Sequence, residues 1–444
     1  MNPLKPLLAL LALSALLAPL YAQSGTITYA VDSACGCDIR FVDGIQTTRS
    51  GNLYGFRRYD GTLIAPDIYR FVGEWTNGYC KVWVTDTLAD TIPNQEPPLL
   101  CGLIDTAGRT IVPPLYDDLE YPSNSRVLVV RRNLFGFTDL LGNTLLPPQF
   151  PMASSFHENR AVIAQYIDSF FLFYTYIDTL GHTLFPPSFQ NAAPFSGGFA
   201  PVQQYDRWGI IDTLGNEILP CRFDFVTLPD HSLVFAGEKN YMALYRLPSV
   251  SGAKAVQLTP PLYEPVTPVT QNRIGVSRDD KQGFLDLDGD EIIPCKYDEI
   301  GLFRLGRTLA RIDNHYGIID TIGLTILPLE YENNTTKGNK YIYYDSLALV
   351  EKNGRLGYVD LNGEFVIPLS LEQAYHFSQG LAAVRHNGYW GYINTHGDIY
   401  LPLIFQFASP FQWDRAEVLY QGRSLIIDRN GKCVKNCHEI ISFR

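Results

Sequence analysis

Short β-favouring runs separated by tight-turn signals fill the chain, and no window long enough to matter carries a helical period. Gly317-Ile318-Ile319-Asp320 and Leu324-Thr325-Ile326-Leu327 are typical runs. The aspartate that ends the first run can accept from nearby backbone amides, and Gly323 between the runs tolerates positive φ, so the pair reads as a hairpin connection. The same connection recurs as Asp105-Thr106-Ala107-Gly108 and Asp139-Leu140-Leu141-Gly142. The pattern predicts a nearly all-β chain.

The connection belongs to a longer frame. Trp390-Gly391-Tyr392-Ile393-Asn394-Thr395-His396-Gly397 runs on to Pro402, Trp208-Gly209-Ile210-Ile211-Asp212-Thr213-Leu214-Gly215 to Pro220, and Leu356-Gly357-Tyr358-Val359-Asp360-Leu361-Asn362-Gly363 to Pro368. The closing prolines are Pro66, Pro113, Pro147, Pro186, Pro220, Pro260, Pro294, Pro328, Pro368 and Pro402, with gaps of 47, 34, 39, 34, 40, 34, 34, 40 and 34. A period of 34 with insertions defines a tandem repeat. Lacking an amide hydrogen, the proline should mark a strand end or edge. An aromatic-acid pair follows, as in Tyr116-Asp117 or Tyr297-Asp298. A further strand, such as that after Phe377-Ser378-Gln379-Gly380, then returns through Asn387-Gly388 to the next head. Each unit thus offers three or four short antiparallel strands. One unit cannot bury its apolar face alone, whereas stacked units can.

This frame resembles the bacterial WG repeat family, also called KWG, over roughly residues 50 to 434. Tryptophan stands at the head only at Trp208 and Trp390, and Thr175 and Ala243 replace the glycine. The resemblance implies a β-repeat protein without an assigned catalytic site, often exported or on the envelope, and brings no residue-level function. Ten complete copies exceed the usual 4 to 8 blades of a propeller. The sequence therefore favours an open solenoid-like array of hairpins and meanders, with a β-propeller as the alternative. A compact body of this length has a radius of gyration of about 22 Å, and an open array predicts a larger value.

Residues 1–22 read as a secretory signal peptide: Lys5 precedes the apolar run from Leu7 to Leu17, which is shorter than the roughly 20 residues of a membrane span. The expected division is 1–22 signal peptide, 23–49 N-terminal cap, 50–434 about ten repeats plus a terminal half repeat, and 435–444 a C-terminal tail. The exported remainder is expected in the periplasm, on the outer surface or in the medium, with no transmembrane segment. Its net charge is below the -11 of the full chain, which fits neither nucleic acid nor an anionic membrane.

Eight cysteines are too few to build the fold. Cys35 with Cys37, Cys80 with Cys101 and Cys433 with Cys437 are candidates for disulfides that staple the ends, with the connectivity open. No metal or other cofactor is expected. Asp286-Leu287-Asp288-Gly289-Asp290 looks like a calcium loop but lacks the later ligands and the bidentate Glu.

Asp105, Asp178, Asp212, Asp286, Asp320 and Asp360 recur at one repeat position, which makes them turn formers before acids. Asp-Thr in several of these turns also resembles a short O-glycosylation acceptor, although threonine equally suits the turn. Catalysis needs unlike residues converging, and repeats supply like ones. No enzyme is expected, and the insertion-bearing copy at residues 241–263 offers no nucleophile and base. The leading expectation is a non-catalytic binding or scaffold module of the envelope with a protein partner. Carbohydrate or cell-wall binding through Tyr205, Trp208, Tyr389 and Trp390 is the alternative, with rings packed between units as the structural explanation of the same residues.

Overall fold

The computed structural model describes residues 27–31, 38–42, 44–58, 60–87, 97–167, 170–238, 241–332, 343–412, 414–435 and 442–443. The expected signal peptide, Cys35, Cys37, Cys437 and most of the tail lie outside them. Among the described residues there is no helix, and the strands form eleven small antiparallel sheets, none closed into a barrel. Ten of them follow the ten repeats. The half repeat at the end completes an eleventh, Phe407–Ala408, Arg415–Tyr420, Arg423–Asp428 and Cys433–Lys435. The segment before residue 50 contributes Ile27–Val31 and Asp38–Val42 to the sheet of the first repeat. Two compact units divide the chain, one built on residues 38–239 and 245–257, the other on 240–244 and from Leu258 onward. The division falls in the repeat that carries Ala243.

One repeat explains the rest. Gln373–Ala374, Leu381–His386, Tyr389–Asn394 and Ile399–Phe405 lie side by side in chain order. Gln379-Gly380 joins the first two at φ 55° and 78°, and Asn387-Gly388 the next two at φ 50° and 83°. Two successive positive-φ residues make the primed turn whose twist matches antiparallel strands. The last connection is the Asp-x-x-Gly turn. Asp320 accepts from the amides of Ile322 (3.0 Å) and Leu324 (2.8 Å), and Asp105, Asp139, Asp178, Asp286 and Asp360 cap their turns in the same way. The calcium-like run around Asp286 is therefore a capped hairpin turn.

The proline position differs from expectation. Pro402 sits in the middle of its strand rather than at an end, although that strand is the edge of the sheet. Trp390 pairs with Phe405 and Tyr392 with Leu401, so two positions on one strand face four on the other. The bulge absorbs the residue that cannot donate, so no ladder bond is lost. It also brings the fourth strand over the head glycine. In the eight copies that keep this glycine, an added Cβ would lie 2.4–2.8 Å from the carbonyl oxygen of the residue before the proline.

The two exceptions show what the glycine does. At Thr175 the hydroxyl donates to the Phe185 carbonyl (2.5 Å), the residue before Pro186, and the regular fourth strand is replaced by isolated bridges in a three-stranded sheet. In the Ala243 repeat the fourth strand shrinks to Val256–Gln257.

Successive sheets are joined by aromatic pairs nineteen residues apart. Phe56 with Trp75, Phe137 with Phe156, Tyr176 with Phe195, Phe284 with Phe303, Tyr358 with Phe377 and Tyr392 with Phe411 have ring centroids 4.7–5.1 Å apart. Where the first ring is tyrosine, its hydroxyl donates into the next repeat: Tyr176 to Ala193 O (2.8 Å), Tyr358 to Tyr375 O (2.6 Å), Tyr392 to Ser409 O (2.8 Å). Arginines add a second tie. Arg126 Nε donates to Thr179 O (2.9 Å), Arg273 Nε to Thr321 O (2.7 Å) and Arg307 Nε to Leu361 O (2.9 Å), each in the next Asp-x-x-Gly turn. Buried rings and satisfied carbonyls between neighbours are what a stack of incomplete units needs.

Candidate binding surface

The aromatic positions separate into two groups. Trp208 and Trp390 are each only 6% exposed. Trp390 stacks on Tyr375 at 5.5 Å with 29° between the planes, inside the terminal core. Tyr205 and Tyr389 stand out in solvent at 90% and 52%, in different compact units. The four residues do not form a row of sugar platforms. A head residue pairs with the aromatic that closes its own repeat, as Trp208 does with Phe223, and this burial is the physical reason.

One of the proposed cysteine bridges is contradicted. Cys80 and Cys101 are both free and buried. On the paired strands Tyr79–Thr85 and Leu99–Asp105, Cys101 faces Trp83, three residues from Cys80. An odd separation puts the two thiols on opposite faces, Cys80 in one core cluster and Cys101 in the next. Burial pushes both thiols up to about 12. Cys433 is disulfide-bonded, and its partner lies outside the described residues.

Charged side chains serve the scaffold. Asp212 is nearly fully buried, and its second oxygen accepts from Asn216 Nδ2 (2.9 Å), Ser251 Oγ (2.7 Å) and the Gly252 amide (3.0 Å). Ser251 and Gly252 belong to the inserted loop of the Ala243 repeat, which thus pins the turn of the repeat before it. Burial pushes the Asp212 carboxyl up, but these donors outweigh it and hold the group down at about 2. In the second unit Arg278 grips Glu291 with two bonds (2.5 and 3.0 Å) and meets the Tyr263 hydroxyl at 3.1 Å. Cys295 adjoins this network, but burial and Glu291 push its thiol up to about 11, which keeps it protonated and a poor nucleophile.

The acid after the closing aromatic caps the following hairpin. The Arg132 amide donates to Asp117 (2.5 Å), the Asp313 amide to Asp298 (2.8 Å) and the Gly388 amide to Glu372 (3.2 Å). Gln190 and Gln406 cap in the same way through their side-chain oxygens, accepting from the Asp206 amide (2.7 Å) and the Gly422 amide (2.9 Å), whereas two other repeats have Arg70 and Pro151 at the capping position. They are the two whose second hairpin is lengthened, Tyr79–Thr85 with Leu99–Asp105, and Arg160–Ile167 with Phe171–Asp178. The second of these carries exposed Tyr166, Ile167, Phe170 and Phe171. A separate apolar row, Leu141, Leu180 and Leu214, occupies the tips of three successive Asp-x-x-Gly turns.

These features define a tandem β-repeat protein whose recurring residues build turns and inter-repeat contacts. Residues 102–134, 135–165, 174–208, 208–235, 283–314, 357–390 and 390–422, about half of the chain, match the model of the WG containing repeat. The chain belongs to this WG repeat family. The Ala243 repeat lies outside the matched segments. No curated protein matches the chain. Among solved structures it is similar to a eukaryotic initiation factor, at 12% identity and TM-score 0.36 over 70% of this chain and 88% of that one. AztD from Citrobacter koseri gives 12% identity and TM-score 0.28 over 68% and 91%. The extracellular domain of a hybrid two-component system from B. thetaiotaomicron gives 8% and 0.23 over 88% and 64%. At TM-scores below 0.5 none of the three bears on what this chain does.

Proposed function

We propose that the chain is an exported, non-catalytic repeat module of the bacterial envelope that binds a protein partner. One observation carries this reading: the recurrent acids are engaged in capping turns, while apolar side chains that no repeat needs for its core stand in solvent at hairpin tips. Exposed apolar patches on a soluble scaffold mark interaction sites. The leader sequence supports export. Burial of Trp208 and Trp390 argues against the sugar reading, which would rest on Tyr205 and Tyr389 alone.

The proposal is tested in the producing cell and on cell-wall glycan. The mature chain should begin near Gln23 and fractionate with the envelope; a cytoplasmic chain retaining residues 1–22 would contradict export. Neither the natural chain nor a Tyr205→Ala, Tyr389→Ala variant should bind glycan. Glycan binding that the variant loses would restore the sugar reading.

A further inference from the structure

The triplet of Asp, then Ser or Thr, then Ala, Leu or Ile occurs eight times in the chain, and only four of the eight are Asp-x-x-Gly turns. Turn formation therefore does not account for the pairing of acid and hydroxyl. Two of the turns, Asp178-Thr179-Leu180-Gly181 and Asp320-Thr321-Ile322-Gly323, present the triplet openly. In each, the aspartate accepts from the amides two and four residues on. The threonine carbonyl accepts from an arginine of the preceding repeat, Arg126 (2.9 Å) or Arg273 (2.7 Å). Leu361 takes the threonine's place in a third such turn, with the same amide bonds to Asp360 and the same tie from Arg307 (2.9 Å). Neither the turn nor the tie needs a hydroxyl. Both threonines are partly exposed, and among the described residues no hydrogen bond holds either hydroxyl. The side chain that follows stands in solvent, Leu180 at 63% and Ile322 at 65%. The other two turns are closed: Asp105 and Asp212 are buried, and Ser251 and Gly252 lie on Asp212.

We propose that Thr179 and Thr321 are acceptors of O-linked glycan in the exported chain. The inference rests on the export part of the reading above and on no partner. The threonine Oγ attacks the anomeric carbon of a sugar carried as its phosphate or diphosphate ester. A bond forms between Oγ and that carbon, the bond from the carbon to the phosphate oxygen breaks, and its electron pair leaves with the phosphate. The hydroxyl proton passes to a base of the transferase. Electrostatics select the group transferred. A phosphoryl group would set about two negative charges beside an aspartate that caps the turn as a carboxylate. A neutral sugar adds bulk and hydration at a surface turn without that repulsion. A fatty acyl chain would enlarge an apolar tip already exposed to water.

The test takes the full chain from the envelope of producing cells and maps the peptides that contain Thr179 and Thr321 by electron-transfer fragmentation, which keeps a sugar on its residue. Each peptide should carry glycan mass on its threonine. Thr179→Leu with Thr321→Leu, a change that Leu361 shows the turn to accept, should leave both peptides unmodified with the circular dichroism of the natural chain. Thr179→Ser should keep the glycan at that position. A phosphate or acyl mass in place of sugar would overturn the inference, as would glycan that stays on these peptides in the double variant. Bare threonines in a chain that fractionates with the envelope would overturn it and leave the export reading standing. A chain confined to the cytoplasm would overturn both.

Discussion

Gly391 lies beneath Pro402: a Cβ added to the glycine would stand 2.7 Å from the proline carbonyl oxygen and 2.8 Å from that of Leu401. The two residues are eleven positions apart, and together they fix how the third and fourth strands of a repeat meet. Glycine within a strand is ordinarily worth replacing, since alanine there gains about 0.5–1 kcal/mol. Here the neighbour is backbone held in a bulge, and overpacking of that kind costs about 1–3 kcal/mol. The steric cost outweighs the gain in chain entropy. Gly391→Ala should lower the unfolding midpoint, and a rise in urea denaturation would contradict the close packing of glycine under proline.

Tyr392 is fully buried, with its hydroxyl on the Ser409 carbonyl of the next sheet. Tyr392→Phe keeps the ring pair with Phe411 but strands that acceptor, at a cost of about 1–3 kcal/mol. Phe56, Phe137 and Phe284 hold the same place in other repeats, so the variant should fold. Hydrogen exchange should quicken around Ser409 while the repeats of the first compact unit stay unchanged.

Asp212 gives a pH dependence with a defined sign. Its folded value, about 2, lies below the ordinary 3.8, so its stabilisation is complete above pH 4 and is lost as pH falls toward 2. A shift of that size corresponds to about 2 kcal/mol. Asp212→Asn should lower stability at pH 7 by about that amount and flatten the acid limb between pH 4 and 2. An unchanged acid limb would show that another carboxylate governs it.

The free thiols separate the bridge from the buried pair. With both groups near 12, on the order of one part in ten thousand is thiolate at pH 8. Cys80 and Cys101 should resist iodoacetamide in the native chain and both alkylate in denaturant without reductant. A disulfide-linked peptide joining them would contradict the opposite-face geometry.

The repeat is legible in the sequence because turn chemistry is local. Asp320 with Gly323 and Asn387 with Gly388 announce their turns within a few residues, and the structure keeps all of them. The proline reads as a strand end in sequence because its true place depends on a bulge, which brings together residues eleven apart and has no local signal. Cys80 and Cys101 read as a bridge because both flank one hairpin, but proximity in sequence does not give facing; the register with Trp83 does. The aromatic ladder is present in the sequence as a recurrent nineteen-residue spacing, from Phe56 to Trp75 through Tyr392 to Phe411. For the binding surface, the gap of 39 flags an insertion, but its exposure follows only from the eight-pair hairpin.

Binding of a protein partner is tested most directly by retention of envelope fractions on the immobilised mature chain, before and after protease treatment of the fractions. Retention that protease abolishes is the expected result. Retention that survives protease and is competed by soluble glycan would contradict it and put the exposed tyrosines, rather than the apolar hairpin, at the binding surface.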